Sequence, residues 1–203
     1  MTDASDAQLF ARNVPGLTQR LQRAVVGIAG LGGLGSNVAV ALTRAGVGTL
    51  ILADDDHVAL PDLNRQYYFQ TDVGRHKVEA LSAHLRAINP DLRIVSHLVR
   101  LTPETITGSF AAAELLIEAF DQAESKQWLI ETWCRSYPRR PIVCASGLAG
   151  YGKTDQLRVR SAGRLYLCGD EESDQHLGLC SARVAIVANM QANVAIELLM
   201  EAT

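Results

Sequence analysis

Residues 24–35 read Ala24-Val25-Val26-Gly27-Ile28-Ala29-Gly30-Leu31-Gly32-Gly33-Leu34-Gly35. The first six form a short apolar run, partly β-branched, which predicts a buried strand. The next six fit G-x-G-x-x-G, and a helix is expected after them over about residues 36–45. A strand, a glycine turn and a helix form the opening unit of a doubly wound α/β sheet. Glycines let the backbone approach a phosphate closely. The helix N-terminus adds oriented N–H groups and about half a positive charge. An acid about 20 residues further on usually holds a ribose hydroxyl. Asp54 stands 19 residues after Gly35. The same turn serves NAD and ATP alike.

Outward from this unit, strand and helix signals keep alternating. Thr49–Ala53 reads as a second buried strand, ended by Asp54-Asp55-Asp56. Val78, Leu81, Leu85 and Ile88 recur at helical spacing over about residues 75–88, and Asn89-Pro90 stops that helix. A third strand is expected over 93–99, and Thr102-Pro103 offers an N-cap and a first-turn proline for a short helix. Residues 114–118 read as a fourth strand, 122–136 as a helix carrying Trp128, Leu129 and Trp133, and 142–145 as a fifth strand. After Gly152 the pattern changes. Leu157, Val159, Leu165 and Leu167 alternate with polar residues around Gly163, which suggests a β-hairpin before a last helix over about 182–201.

The expected fold is therefore α/β: a doubly wound, mostly parallel, Rossmann-like sheet with a C-terminal β-hairpin and helix. Residues 1–203 are expected to form one nucleotide-binding domain, with residues 1–23 as an N-terminal helical arm. Ligands in such folds bind at the carboxyl ends of the strands. That rule points to Gly30–Gly35, Asp54–Asp56, Glu118–Asp121 and Ser146–Gly150.

Composition narrows the function. The chain has 203 residues, 48% apolar and 20% charged, which excludes a disordered or collagen-like protein. A net charge of −3 speaks against broad electrostatic capture of nucleic acid. The start, Met1–Asp6, is acidic and polar and has no signal-peptide pattern. The apolar stretch 182–200 holds Arg183, Asn189, Gln191, Asn193 and Glu197, so it reads as a core helix and not as a membrane span. The four cysteines, 134, 144, 168 and 180, lack framework spacing, which places the chain in a reducing cytoplasm. Without C-x-x-C or a close histidine partner, no zinc is expected. Cys134 and Cys144 read as small core residues. Cys180 precedes the last helix, whose N-terminus favours a thiolate.

Two basic groups follow the second strand, in Asp62-Leu63-Asn64-Arg65-Gln66 and in Gly74-Arg75-His76-Lys77. Hydride transfer has no need of two cations there, whereas a triphosphate does: Arg forks onto phosphate oxygens and Lys acts as a point charge. The plainer reading of Lys77 is a solvated cation in the first turn of a helix. Asp121, at the end of the fourth strand, could orient magnesium, which takes carboxylates together with substrate phosphates. With Glu124 it also has the spacing of a helix capping box. Residues 147–154 fit the P-loop pattern G-x-x-x-x-G-K-T. A P-loop opens a helix, but Gln156–Arg160 alternates like a strand, so these glycines read as a turn lining the crevice.

The segments GIAGLGGLGSNVA, LILADDDHVALPDLNRQ, VGRHKVEAL and EAFDQ together resemble the ThiF/MoeB group, the ubiquitin-activating-enzyme-like adenylyltransferases. The short length and the SGLAGYG segment look most like the compact ThiF form, assigned to sulfur-carrier adenylation in thiamine synthesis. The resemblance implies ATP and magnesium. It also implies a ubiquitin-like sulfur-carrier protein with a Gly-Gly tail, whose carboxylate attacks the α-phosphate. By position, Gly32 falls in the nucleotide loop, Asp54 on the ribose acid, Arg65 and Lys77 on the phosphate cations, and Asp121 on the magnesium-side acid. Arg12 corresponds to an N-terminal arginine that reaches the partner subunit's ATP, which implies a homodimer. Cys180 lies near where related sequences place a sulfur-accepting cysteine. The expected nucleotide-binding set is thus Gly30, Gly32, Gly33, Gly35, Asp54, Asp56, Asn64, Arg65, Lys77 and Arg12. The reacting set is Arg65, Lys77, Asp121 and Cys180. Pro61-Asp62 stands where the family usually has Ser-Asn, which removes an amide donor and adds a negative charge beside the triphosphate. The zinc-binding cysteine pairs of longer members are absent. The alternative readings are a tRNA threonylcarbamoyladenosine dehydratase-like enzyme, an NAD-binding oxidoreductase and a nucleotide-sensing scaffold that has lost catalysis.

Overall fold

In the computed structural model, which describes residues 8–202, the strands are β1 (Val25–Ala29), β2 (Thr49–Ala53), β3 (Arg93–His97), β4 (Leu115–Glu118), β5 (Ile142–Ala145), β6 (Arg158–Ala162) and β7 (Leu165–Gly169). They form one sheet in the order β3-β2-β1-β4-β5-β7-β6. Every pair of neighbours is parallel except β6 and β7, which run antiparallel as the expected hairpin. The helices are α1 (Leu17–Leu21), α2 (Gly33–Ala45), α3 (Lys77–Ile88), α4 (Ile106–Ser109), α5 (Ala123–Ser136) and α6 (Ser181–Glu201). Residues 1–7 of the expected arm, and Thr203, lie outside the described residues.

The central strands are apolar on both faces because successive side chains point in opposite directions. Val26, Ile28, Leu50, Leu52 and Ile117 join one core with Val38 and Leu42 of α2, Leu81 and Leu85 of α3, and Val187 and Leu199 of α6. Ala29, Ile51, Leu116, Ile142 and Cys144 join the other with Ile106 of α4, Phe110, and Leu129 and Trp133 of α5. Helices therefore cover both faces, as a parallel sheet requires. Helix α6 is long and apolar enough to cross a membrane, but it packs on the first core and sends Gln191 Nε2 to the carbonyls of Glu118 and Val143, at 2.9 and 3.1 Å.

Several boundaries differ from expectation for local reasons. Helix α2 begins at Gly33, three residues early, with Gly32 as its N-cap. The third strand ends at His97, because its partner Ala53 ends β2 and nothing remains to pair with. The short helix starts at Ile106, not at Pro103. Residues 103–105 form a turn, and the carbonyl of Thr102 accepts the N–H groups of Thr105 and Ile106. In the hairpin, β6 is exposed at all five residues, including Val159, because it is the sheet edge and no helix covers it.

Candidate functional site

Strand order turns away in both directions from the β1–β4 junction, and that switch point opens a crevice above the strand ends. A pocket of about 990 Å³ lies there, lined by residues that follow β1, β2, β4 and β5.

Gly30, Gly32 and Gly33 bring the turn after β1 and the start of α2 to the pocket. Gly35 does not line it. A Cβ on Gly35 would sit 1.9 Å from the Gly30 carbonyl oxygen, so this glycine lets α2 pack directly on the turn. Asp54 ties the next strand end to the same turn. Its Oδ2 accepts the Leu31 N–H at 2.6 Å and its Oδ1 accepts the Asp56 N–H at 2.8 Å. Burial pushes the Asp54 carboxyl above the usual range, opposed by the Lys77 charge and these two N–H groups.

Lys77 is the first residue of α3, and its side chain is only 8% exposed. The plain reading of a solvated cation is therefore wrong. Its Nζ donates to Asp56 Oδ2 at 2.9 Å. Burial works against the ammonium, but the Asp56 hydrogen bond and the charges of Asp54, Asp56 and Asp62 outweigh it, and the pKa rises. The carboxylates of Asp54, Asp55 and Asp56 lie within 4.8 Å of one another, and Lys77 balances them. Arg65 reaches the pocket from the 3-10 turn Leu60–Asn64. Its Nη1 donates to Asn64 Oδ1 at 2.7 Å and to the Pro61 carbonyl at 3.3 Å. Asp62 accepts the Ala59 N–H and Gln66 Nε2, so it braces the turn that carries Arg65.

Beneath the pocket Glu118, fully buried at the end of β4, accepts the Phe120 N–H at 2.7 Å and pairs with Lys126 Nζ at 2.9 Å. Burial lifts its carboxyl and Lys126 opposes that rise. Lys126 also donates to the Ala145 carbonyl at 3.2 Å, which joins the ends of β4 and β5. Asp121 is exposed on the pocket lining, one residue before the N-cap Gln122 of α5. The N-cap is Gln122 and not Asp121, and the Gln122 side chain makes no cap bond. The far wall is made by Ser146–Ala149 and by Ser173, Asp174, His176 and Leu179. After Gly152 the chain makes one 3-10 turn, Thr154–Gln156, and enters β6, so no P-loop helix follows.

Of the residues singled out in the sequence, Gly30, Gly32, Gly33, Asp54, Asp56, Arg65, Lys77 and Asp121 all line this one pocket. Asn64 does not line it and instead holds the Arg65 guanidinium. Arg12 is exposed and does not line the pocket of its own chain. Cys180 is the N-cap of α6, beside but not among the lining residues. Cys144 and Cys168 are buried in β5 and β7, and burial pushes the Cys168 thiol up to about 12. Sequence reasoning reached Glu118–Asp121 and Ser146–Gly150 by the strand-end rule but missed Lys126, the place of Trp128 on the pocket, and Ser173, Asp174, His176 and Leu179. An acid in the otherwise apolar strand 115–118 was the available signal, since a buried charge needs a partner.

Known proteins place this architecture. The model of the ThiF family matches residues 6–203. The sulfur carrier protein ThiS adenylyltransferase of Escherichia coli (strain K12) is 34% identical over 188 residues, covering 89% of this chain and 74% of that protein. Ubiquitin-like modifier-activating enzyme 5 of Drosophila persimilis is 38% identical over 120 residues, which are 53% of this chain and 31% of that protein. Among solved structures, E. coli tRNA N6-threonylcarbamoyladenosine dehydratase in complex with AMP gives a TM-score of 0.83 at 24% identity, covering 97% of this chain and 93% of that one. With a family model spanning nearly the whole sequence and a relative aligned along most of its length, the chain belongs to the ThiF family.

Proposed function

We propose that the protein adenylates the C-terminal carboxylate of a ubiquitin-like sulfur-carrier protein with a Gly-Gly tail, using ATP, as in thiamine synthesis. One observation carries this reading. Arg65 and Lys77, 12 residues apart on different elements, meet the glycine turn and Asp54 in a single pocket. A dinucleotide oxidoreductase leaves those two cations without a task. The 34% identity to an enzyme whose name states this activity supports the same reading.

In the adenylation step the site's own residues do positioning and charge work, with no covalent bond to the protein. The glycine turn and the N-terminus of α2 take phosphate oxygens. Asp54 accepts a ribose hydroxyl. Arg65 and Lys77 take the triphosphate charge, Lys77 by exchanging Asp56 for a phosphate oxygen. Asp56 is 66% exposed, so water solvates it once released. A tail oxygen then bonds to the α-phosphorus as the bond from that phosphorus to the bridging oxygen breaks, and pyrophosphate leaves. Magnesium fits the exposed Asp121 carboxylate, since it takes one or two carboxylates and fills its sphere with phosphate oxygens and water. Bound there, it would neutralise phosphate charge. Arg12, outside its own pocket, is left to serve a partner subunit in a homodimer, and Cys180, beside the pocket, to take the outer sulfur of a persulfide donor whose own thiolate then leaves.

The decisive experiment is ATP–pyrophosphate exchange against a panel of Gly-Gly-tailed small proteins, with unmodified and threonylcarbamoylated tRNA as separate arms. Exchange that depends on a carrier is the expected result. Turnover with tRNA alone would replace the carrier reading with the dehydratase one. ATP binding with no pyrophosphate release under any condition would leave a nucleotide-sensing scaffold.

A further inference from the structure

The far wall of the pocket is held by one buried ion pair. Arg183, the third residue of α6, is 3% exposed and pairs through Nη2 with Oδ2 of Asp170, 8% exposed, directly after β7. Its Nη1 donates to the carbonyls of Gly152 and Lys153. The other oxygen of Asp170 accepts the N–H groups of Glu172 at 2.9 Å and Ser173 at 2.8 Å. Burial alone would raise this carboxyl, but those N–H groups and Arg183 outweigh it and hold it at about 2.

The pair thus joins three chain segments: the loop after β5, the turn after β7 and the start of α6. Further bonds stitch the first two together. Ala149 N–H donates to Ser173 Oγ at 3.0 Å, Asp170 N–H to the Gly147 carbonyl at 3.0 Å, and Gly150 N–H to the Gly178 carbonyl at 2.8 Å. A Cβ on Gly147, whose φ is +73°, would lie 1.9 Å from Asp170 Oδ1, so the loop lies directly on the pair. Among the described residues, the non-glycines with positive φ are Lys153 (49°) and Glu171 (64°). Both adjoin the pair, one through its carbonyl and one as the residue after Asp170. Left-handed non-glycine residues persist where their surroundings force them.

Neither Asp170 nor Arg183 lines the pocket, whereas the stitched segments supply Ser146, Gly147, Leu148, Ala149 and Ser173 to it. By strand order these lie on the β5 side of the pocket, away from the β1 and β2 ends that carry the proposed triphosphate site. We propose that Asp170 and Arg183 are positioning residues that hold this wall in shape for the protein tail that enters as acceptor, and not for ATP. The assignment of the wall to an acceptor rests on the adenylation reading. A buried pair can add less stability than apolar residues of the same volume, so specific geometry is a reason to keep it.

Three variants separate this from a merely structural role. Arg183→Met removes the pair, Arg183→Lys keeps the charge without the fork, and Gly147→Ala pushes the loop and Asp170 apart without removing a charge. Three quantities are read on the full chain: the ATP dissociation constant, the carrier KM and kcat in pyrophosphate exchange, and amide hydrogen exchange residue by residue. For Arg183→Met the expected result is amide exchange accelerated about tenfold more in residues 146–153 and 170–179 than in the rest of the chain, with carrier KM raised about tenfold. ATP affinity should stay within about twofold. Gly147→Ala should follow in the same direction, and Arg183→Lys should recover part of the loss. Equal loosening of the whole chain would overturn the proposal, as would ATP affinity falling as far as carrier affinity. If the parent protein exchanges pyrophosphate with no carrier, the adenylation reading fails, and the amide pattern still decides whether the pair holds the wall.

Discussion

The wall made by residues 30–77 and the wall made by residues 146–179 face the same pocket but are held by different means. On the first, the cations line the crevice, each paired with a group that a ligand can displace, although Lys77 itself is only 8% exposed. Lys77 is bonded to Asp56, which is 66% exposed, and Arg65 leans on Asn64 and a carbonyl of its own turn. The second is held by a charge pair sealed away from the ligand, Asp170 and Arg183. A group meant to trade partners must stay within reach of water and substrate. A group meant to hold a shape is better buried, where removing one partner leaves an uncompensated charge.

Mutation can break that contrast, most strongly at Lys77. Lys77→Ala should keep the fold, because Asp56 is already largely solvated. It should lose about 3–4 kcal/mol of transition-state stabilisation, roughly 100- to 1,000-fold in carrier-dependent pyrophosphate exchange. Near-normal exchange would mean that the first wall does not carry the phosphates.

On the second wall the expected signature is stability, not rate. Asp170 is held at about 2 against an ordinary 3.8. A depressed carboxylate contributes stability fully above its unfolded pKa and loses it as pH falls through the folded one. The titrating part amounts to about 2 kcal/mol. Urea unfolding of the parent and of Asp170→Asn should therefore differ most above about pH 4 and converge toward pH 2. A pH-independent gap would show that the pair does not titrate as a unit with folding.

The smallest effect is expected at Asp62, the acid of the turn that carries Arg65. Asp62→Asn keeps an oxygen for the Ala59 N–H or Gln66 and removes one negative charge about 4.0 Å from Arg65. ATP KM should fall by about 1 kcal/mol, several-fold, with unfolding nearly unchanged. An unaltered KM would show that this acid serves only to brace the turn.

The two walls also differ in how well they can be read from residue order. The first was legible because its parts are local. A glycine turn sits between an apolar strand and a helix, an acid ends the next strand, and cations follow it at short range. Lys77 was found by type, yet its burial was not, since burial depends on Asp54–Asp56 folding over it from 21 to 23 residues away. The second wall was read only as a turn of glycines and a polar loop. Arg183 looked like one polar residue in an apolar helix, when its partner Asp170 lies 13 residues earlier and its other contacts 30 and 31 residues earlier. Glu118 was placed at a strand end, but its pairing with Lys126 was not legible, since nothing in a strand or a helix taken alone says that the two meet at the pocket floor.

By itself the amino-acid order determined the alternation of strands and helices, the doubly wound class and the chemistry of the phosphate side. Those follow from periodicity and from backbone needs that act over a few residues. Only the tertiary structure decided which charges are buried, which face the ligand and which lock one loop to another. Desolvation and pairing depend on what packs around a group, and neighbours in space are set by the whole sheet and not by adjacency along the chain.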